Sequence, residues 1–78
     1  MEGFAAYWFL RGRAVANAEV IGRRMGESFA HFPHWRTDPK QEQAVRMEFY
    51  KALIGGGVKD GTKDMVEEIL TNLRRTAQ

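Results

Sequence analysis

Seventy-eight residues, 44% of them apolar and 28% charged, are enough for one small domain and too few for two. The absence of cysteine excludes a disulfide scaffold, a zinc finger and a thiol nucleophile. Twelve Lys+Arg against ten Asp+Glu give a net charge of +2, a weaker basic excess than a dedicated DNA-binding module of this size carries.

The longest apolar run is Phe4 to Leu10. It falls far short of the ~20 residues that span a bilayer. Glu2 stands where a signal peptide would carry its basic start. A cytoplasmic protein is the expectation. No internal repeat and no low-complexity stretch is present.

The chain reads as four helices in an all-α, compact four-helix domain, one domain over residues 1–78. The first helix is expected over 2–11. Phe4, Tyr7 and Trp8 share a face, and Ala5, Ala6, Phe9 and Leu10 cover much of the rest. A helix apolar nearly all round is expected to be buried nearly all round, within this domain or against a further part of the protein. Gly12 ends or kinks it.

Asn17 is the expected N-cap of a second helix over 18–32. Ile21, Met25, Phe29 and Phe32 form its apolar face. Ala18, Gly22, Gly26 and Ala30 form a ladder of small residues beside it. Each internal glycine costs roughly 1 kcal/mol against alanine, so the ladder predicts close approach of another helix. The charges Glu19, Arg23, Arg24 and Glu27 exclude a membrane reading of that ladder.

Residues 33–38 form an exposed connection that carries Trp35 and Arg36. Asp38-Pro39-Lys40-Gln41 then starts a third helix over 39–54. Asp38 caps, Pro39 takes the first turn, and Gln41 completes a capping-box spacing. Val45, Phe49, Ala52 and Leu53 are its apolar face, and Glu42 with Arg46 is an i,i+4 ion pair. Gly55-Gly56-Gly57 stops it by offering a left-handed conformation. Thr62 is the expected cap of a fourth helix over 63–75. Its stripe is Val66, Ile69, Leu70 and Leu73, with Arg74 and Arg75 complementing the helix dipole in the last turn. Every aromatic residue lies between Phe4 and Tyr50. The aliphatic fourth helix is therefore expected to lie across an aromatic-rich centre.

Few residues group into chemistry. His31 and His34 flank Pro33 and cannot share a helical face. Glu27 and His31, at i,i+4, could hold two metal ligands, but spacing places no third. Asp60 with Asp64, and Glu67 with Glu68, fit a solvated helix start and polar face better than a catalytic pair. The run 55–62 contains Gly, Lys and Thr without the order of a phosphate loop and without a preceding strand. Arg11 with Arg13, Arg23 with Arg24, and Arg74 with Arg75 could touch a phosphate backbone weakly and salt-sensitively. Trp8, Phe9, Trp35 and Tyr50 are more large aromatics than a small core readily encloses. With Arg23, Arg24, Arg74 and Arg75 at the rim they are the candidate partner contacts. The reading assigns no catalytic, cofactor-binding or metal-binding residue to the chain.

Several stretches are familiar in order and spacing. Phe4-Ala5-Ala6-Tyr7-Trp8-Phe9-Leu10 resembles an F-A-x-Y-W-x-L run near the carboxyl end of the R subunit, the motor and endonuclease chain, of type I restriction–modification enzymes. Phe29 to Trp35 is similar to that region's F-x-x-F-P-x-W. Glu42 through Leu53, with Arg46 and Tyr50-Lys51-Ala52-Leu53, is similar to its R-x-x-x-Y-K-x-L helix, and Met65 to Arg75 to its closing V-x-x-I-L-x-x-L-R-R. Gly22 and Gly26 depart from the pattern, standing where better helix formers are expected.

The resemblance implies a carboxyl-terminal helical fragment of a much larger chain. Such an R subunit hydrolyses ATP to translocate DNA and cuts it with magnesium, using motor and nuclease residues that would lie upstream of this segment. No such residue, and neither cofactor, is assigned here. The implied partners are the methyltransferase subunit and the rest of the R chain, with DNA touched at most weakly through its backbone. The rival expectation is a small autonomous DNA-binding helical protein; an independent enzyme is a third.

Overall fold

The computed structural model describes residues 2–76, and the side chains of 5–75. Four helices follow in order: α1 Glu2–Gly12, α2 Ala18–His31, α3 Pro39–Gly55 and α4 Thr62–Thr76. The domain is all-α, and no strand occurs among the described residues. One continuous core runs through it, with Ala6 and Leu10 from α1, Ile21, Met25 and Phe29 from α2, Val45, Phe49 and Leu53 from α3, and Val66, Ile69, Leu70 and Leu73 from α4. Each set falls at helical spacing, so periodicity alone selects the inward face.

The helix ends are set by local chemistry. At the end of α1, Ala14 N–H donates to Arg11 O at 3.0 Å and Val15 N–H to Leu10 O at 3.2 Å. This is a Schellman closure, with Val15 folding back beside the buried Leu10. Its left-handed residue is Ala14, at φ 58°, two positions beyond the expected Gly12. The end of α3 repeats the arrangement. Gly57, at φ 92°, donates to Ile54 O at 3.0 Å, and Val58 N–H donates to Leu53 O at 2.9 Å. Of the glycine triplet only Gly57 adopts the left-handed conformation.

Gly56 has a different task. A Cβ there would stand 2.4 Å from Ile21 Cδ1 and 2.6 Å from its Cγ1, so a side chain at this position would force the buried Ile21 to shift where α3 seats on α2. Asn17 holds the same junction. The expectation that its side chain caps α2 is not met; Asn17 Nδ2 instead donates to Gly56 O at 3.1 Å. The predicted close approach on the small-residue ladder occurs at Gly22, where a Cβ would lie 3.0 Å from Tyr7 Cβ and 3.1 Å from Tyr7 Cα. That contact accounts for a glycine inside α2.

Asp38 caps α3 by accepting from Lys40 N–H at 3.0 Å. Gln41 reaches back as its spacing predicts, but to His34 N–H at 2.8 Å rather than to the cap residue. The N–H of Asp38 is already taken, donating to His34 O at 2.8 Å. Thr62 is the first residue of α4 rather than its cap, and Gly61 O accepts from Met65 N–H at 3.0 Å.

One burial expectation is corrected. Trp35 belongs to the core, only 1% exposed, although it lies on the 33–37 turn. Its indole packs 5.2 Å from the Phe29 ring, and Phe29 meets Phe49 edge-on at 5.4 Å. Removing so large an apolar ring from water outweighs the tendency of connections to be exposed. Of the two expectations for helix α1, burial all round within this domain is not met: Ala5, Tyr7 and Phe9 are half-buried, and Trp8 is 52% exposed. Phe4, expected on the same face, lies outside the described side chains.

Candidate interaction surface

The structure disperses the candidate contacts. Trp8 points outward from α1, opposite Ala6 and Leu10. Phe9 and Tyr50 are half-buried, and Trp35 is enclosed. Arg23, Arg24 and Arg75 are exposed. Arg74 is drawn inward, its guanidinium 5.6 Å from the Trp35 ring centre on the way to Glu42. Arg74 and Trp35 meet, and they do so as packing.

That packing belongs to an ion network joining α3 and α4. Arg46 Nη2 donates to Glu42 Oε1 at 3.0 Å and Arg46 Nε to Glu67 Oε2 at 2.7 Å; Arg74 Nη2 donates to Glu42 Oε2. Burial alone would raise the pKa of Glu42, but the hydrogen bonds from Arg46 and Arg74 outweigh it and hold the carboxyl below its ordinary range. Arg46 is raised in turn, first through its bond to Glu67, against the opposing effect of burial, and then through Glu42. The i,i+4 pair of Glu42 and Arg46 is thus the centre of an inter-helix clamp. Glu67 and Glu68 are not a carboxylate pair. They splay apart, Glu67 to Arg46 on α3 and Glu68 to Arg13 Nη2 at 2.8 Å.

Arginine–aromatic stacking marks the outer end of α1. The Arg11 guanidinium lies over the Trp8 ring, 5.1 Å from its centre, and that of Arg13 over Phe9 at the same 5.1 Å. Two further exposed apolar side chains, Met47 and Ile54, sit seven residues apart on the outer face of α3, 46% and 62% exposed. Sequence reasoning missed both. The available signal was their position opposite the Val45–Phe49–Leu53 stripe, where a solvated helix would carry polar residues. Val20 adds a fourth outward apolar side chain, 49% exposed on α2.

A shallow groove of about 540 Å³ runs between α2 and α3, with Arg24, Glu27, His31, Phe32, Glu48 and Lys51 on its walls. Glu27 and His31 do share its rim, as their spacing predicts. Among the described residues no three His, Asp or Glu side chains gather closely enough to hold a metal ion. Lys51 and Glu48 meet across 3.6 Å, so part of the groove's charge is internally compensated. The 55–62 stretch is a helix-closing loop with no strand before it. Among the described residues no helix is long and apolar enough to cross a membrane.

No family profile matches the chain, and neither a curated protein nor a solved structure is significantly similar to it.

Proposed function

We propose that this chain is a helical assembly module. On the likeness of its four motifs to the carboxyl-terminal region of type I restriction enzymes, it serves an R subunit, docking an ATP-driven DNA translocase and endonuclease onto the methyltransferase core in the cytoplasm. The observation that carries the reading is the set of large apolar side chains left outside a well-filled core: Trp8, Val20, Met47 and Ile54, each at least 46% exposed. An outward tryptophan flanked by arginine is a common anchor of protein interfaces. The motif residues themselves are largely internal: Phe29, Trp35, Leu53, Ile69, Leu70 and Leu73 are buried, and Arg46 is in the clamp. The likeness therefore speaks for a shared fold, and the outward residues speak for its use.

The DNA-binding alternative draws on the arginine pairs. Arg23 is within 3.5 Å of Glu19, and Arg74 is tied to Glu42, so one arginine of each of these two pairs is already matched with a carboxylate. Affinity capture separates the two. The full chain should retain the methyltransferase core of the same genome at moderate salt and without DNA. Retention of DNA alone, lost as salt rises with a slope of several phosphates, would replace this reading with the alternative.

A further inference from the structure

Helix α1 already recruits one helix in a way the structure makes explicit. The Arg13 guanidinium lies over the Phe9 ring and donates from Nη2 to Glu68 of α4 at 2.8 Å. The ring supports the cation on its face and leaves the N–H edge to bind a carboxylate. Trp8 and Arg11, three residues apart on α1, form a second cation-over-ring pair at the same 5.1 Å, where Phe9 and Arg13 are four apart and Arg13 lies just beyond the helix end. No carboxylate meets Arg11 among the described residues, and Trp8 is half exposed on the side of α1 turned away from the core.

We infer that the Trp8–Arg11 face of α1 is the docking surface of the assembly module, and that its occupant is a carboxylate-bearing helix of the partner protein. A partner Asp or Glu would pair with Arg11 as Glu68 pairs with Arg13, while the flank of that helix covers the Trp8 indole. Charge complementarity selects an acidic occupant. The precedent of α4 selects a helix, because there the acid that meets the guanidinium is carried by a helix packed against α1.

The inference rests on the assembly reading, and its test distinguishes the two. The full chain, Trp8→Ala, Arg11→Glu and a control of equal charge change, Lys59→Glu, are titrated against the purified methyltransferase core at moderate salt. Wild type and Lys59→Glu bind alike. Trp8→Ala and Arg11→Glu each weaken binding at least tenfold while still showing a cooperative thermal melt, since neither side chain belongs to the buried core. If wild type binds and both variants bind within twofold of it, the docking face is elsewhere and this inference falls while the assembly reading stands. If wild type does not bind the core, both fall. If the variants lose affinity for DNA and not for the core, the face reads nucleic acid and the acidic helix is wrong.

Discussion

At Ala14 the backbone adopts a positive φ of 58°, where a Cβ crowds its own chain. The Schellman closure of α1 holds it there, and the equivalent residue at the end of α3 is Gly57. Replacing Ala14 by Gly is therefore expected to stabilise the domain by about 0.5–1 kcal/mol, the relief of strain being partly offset by added freedom in the unfolded chain. A thermal melt should show a midpoint several degrees higher; an unchanged or lower midpoint would show that the strain is not there. This feature was not legible in the sequence. A glycine at position 12 is the obvious local breaker, and only the hydrogen-bonded closure reveals that the left-handed residue lies two positions later. Asn17 was hidden for a similar reason: its side chain chooses Gly56 O, an acceptor 39 residues away, over its own helix.

The four helices themselves were legible, because each is written in periods of three and four and bounded by Pro or Gly. Asp38-Pro39 starts α3 as expected. What spacing could not supply was how one helix sits on the next. Gly55, Gly56 and Gly57 look alike in sequence, yet a Cβ at Gly56 would meet Ile21 at 2.4 Å while one at Gly57 would meet nothing within 4 Å. Gly56→Ala is expected to destabilise by roughly 1–3 kcal/mol, the range for forcing atoms into a packed site. Gly55→Ala, where the nearest atom is the mobile Arg24 Nη1 at 3.3 Å, should cost far less in the same denaturant titration. Equal effects at both positions would remove the argument for close seating of α3 on α2. Helix α4 makes the same point with charge. Adjacent Glu67 and Glu68 read as one polar face, whereas the fold directs one to α3 and the other to α1.

Across the whole molecule, the aromatic centre and the α3–α4 clamp decide what remains outside. Trp35 closes the core from a turn, so the connection that looked like a binding loop is a structural plug. Above it Glu42 accepts from both Arg46 and Arg74, and its carboxyl titrates below the ordinary 4.5. A carboxylate with a lowered folded-state pKa contributes stability that is complete above its unfolded value and is lost as pH falls through the folded one. Stability should accordingly drop below about pH 4.5, and in Glu42→Gln that acid loss should shrink. The variant should also be less stable by roughly 1 kcal/mol at neutral pH, as expected for losing hydrogen bonds to a charged group. Parallel acid slopes for variant and wild type would show that Glu42 is not the titrating clamp.

With Trp35 and Arg74 engaged inside, the outward residues of α1 and α3 are left to meet a partner. The sequence pointed to Trp8 through its setting in an apolar run, but it could not separate Trp8 from Trp35; burial does. The most direct test of the assembly account is a calorimetric titration of the full chain into the methyltransferase core at moderate salt, repeated at two temperatures. Saturable binding with a negative heat-capacity change, the mark of apolar burial, is the predicted result. No heat with the core, alongside salt-sensitive binding to DNA, would contradict it.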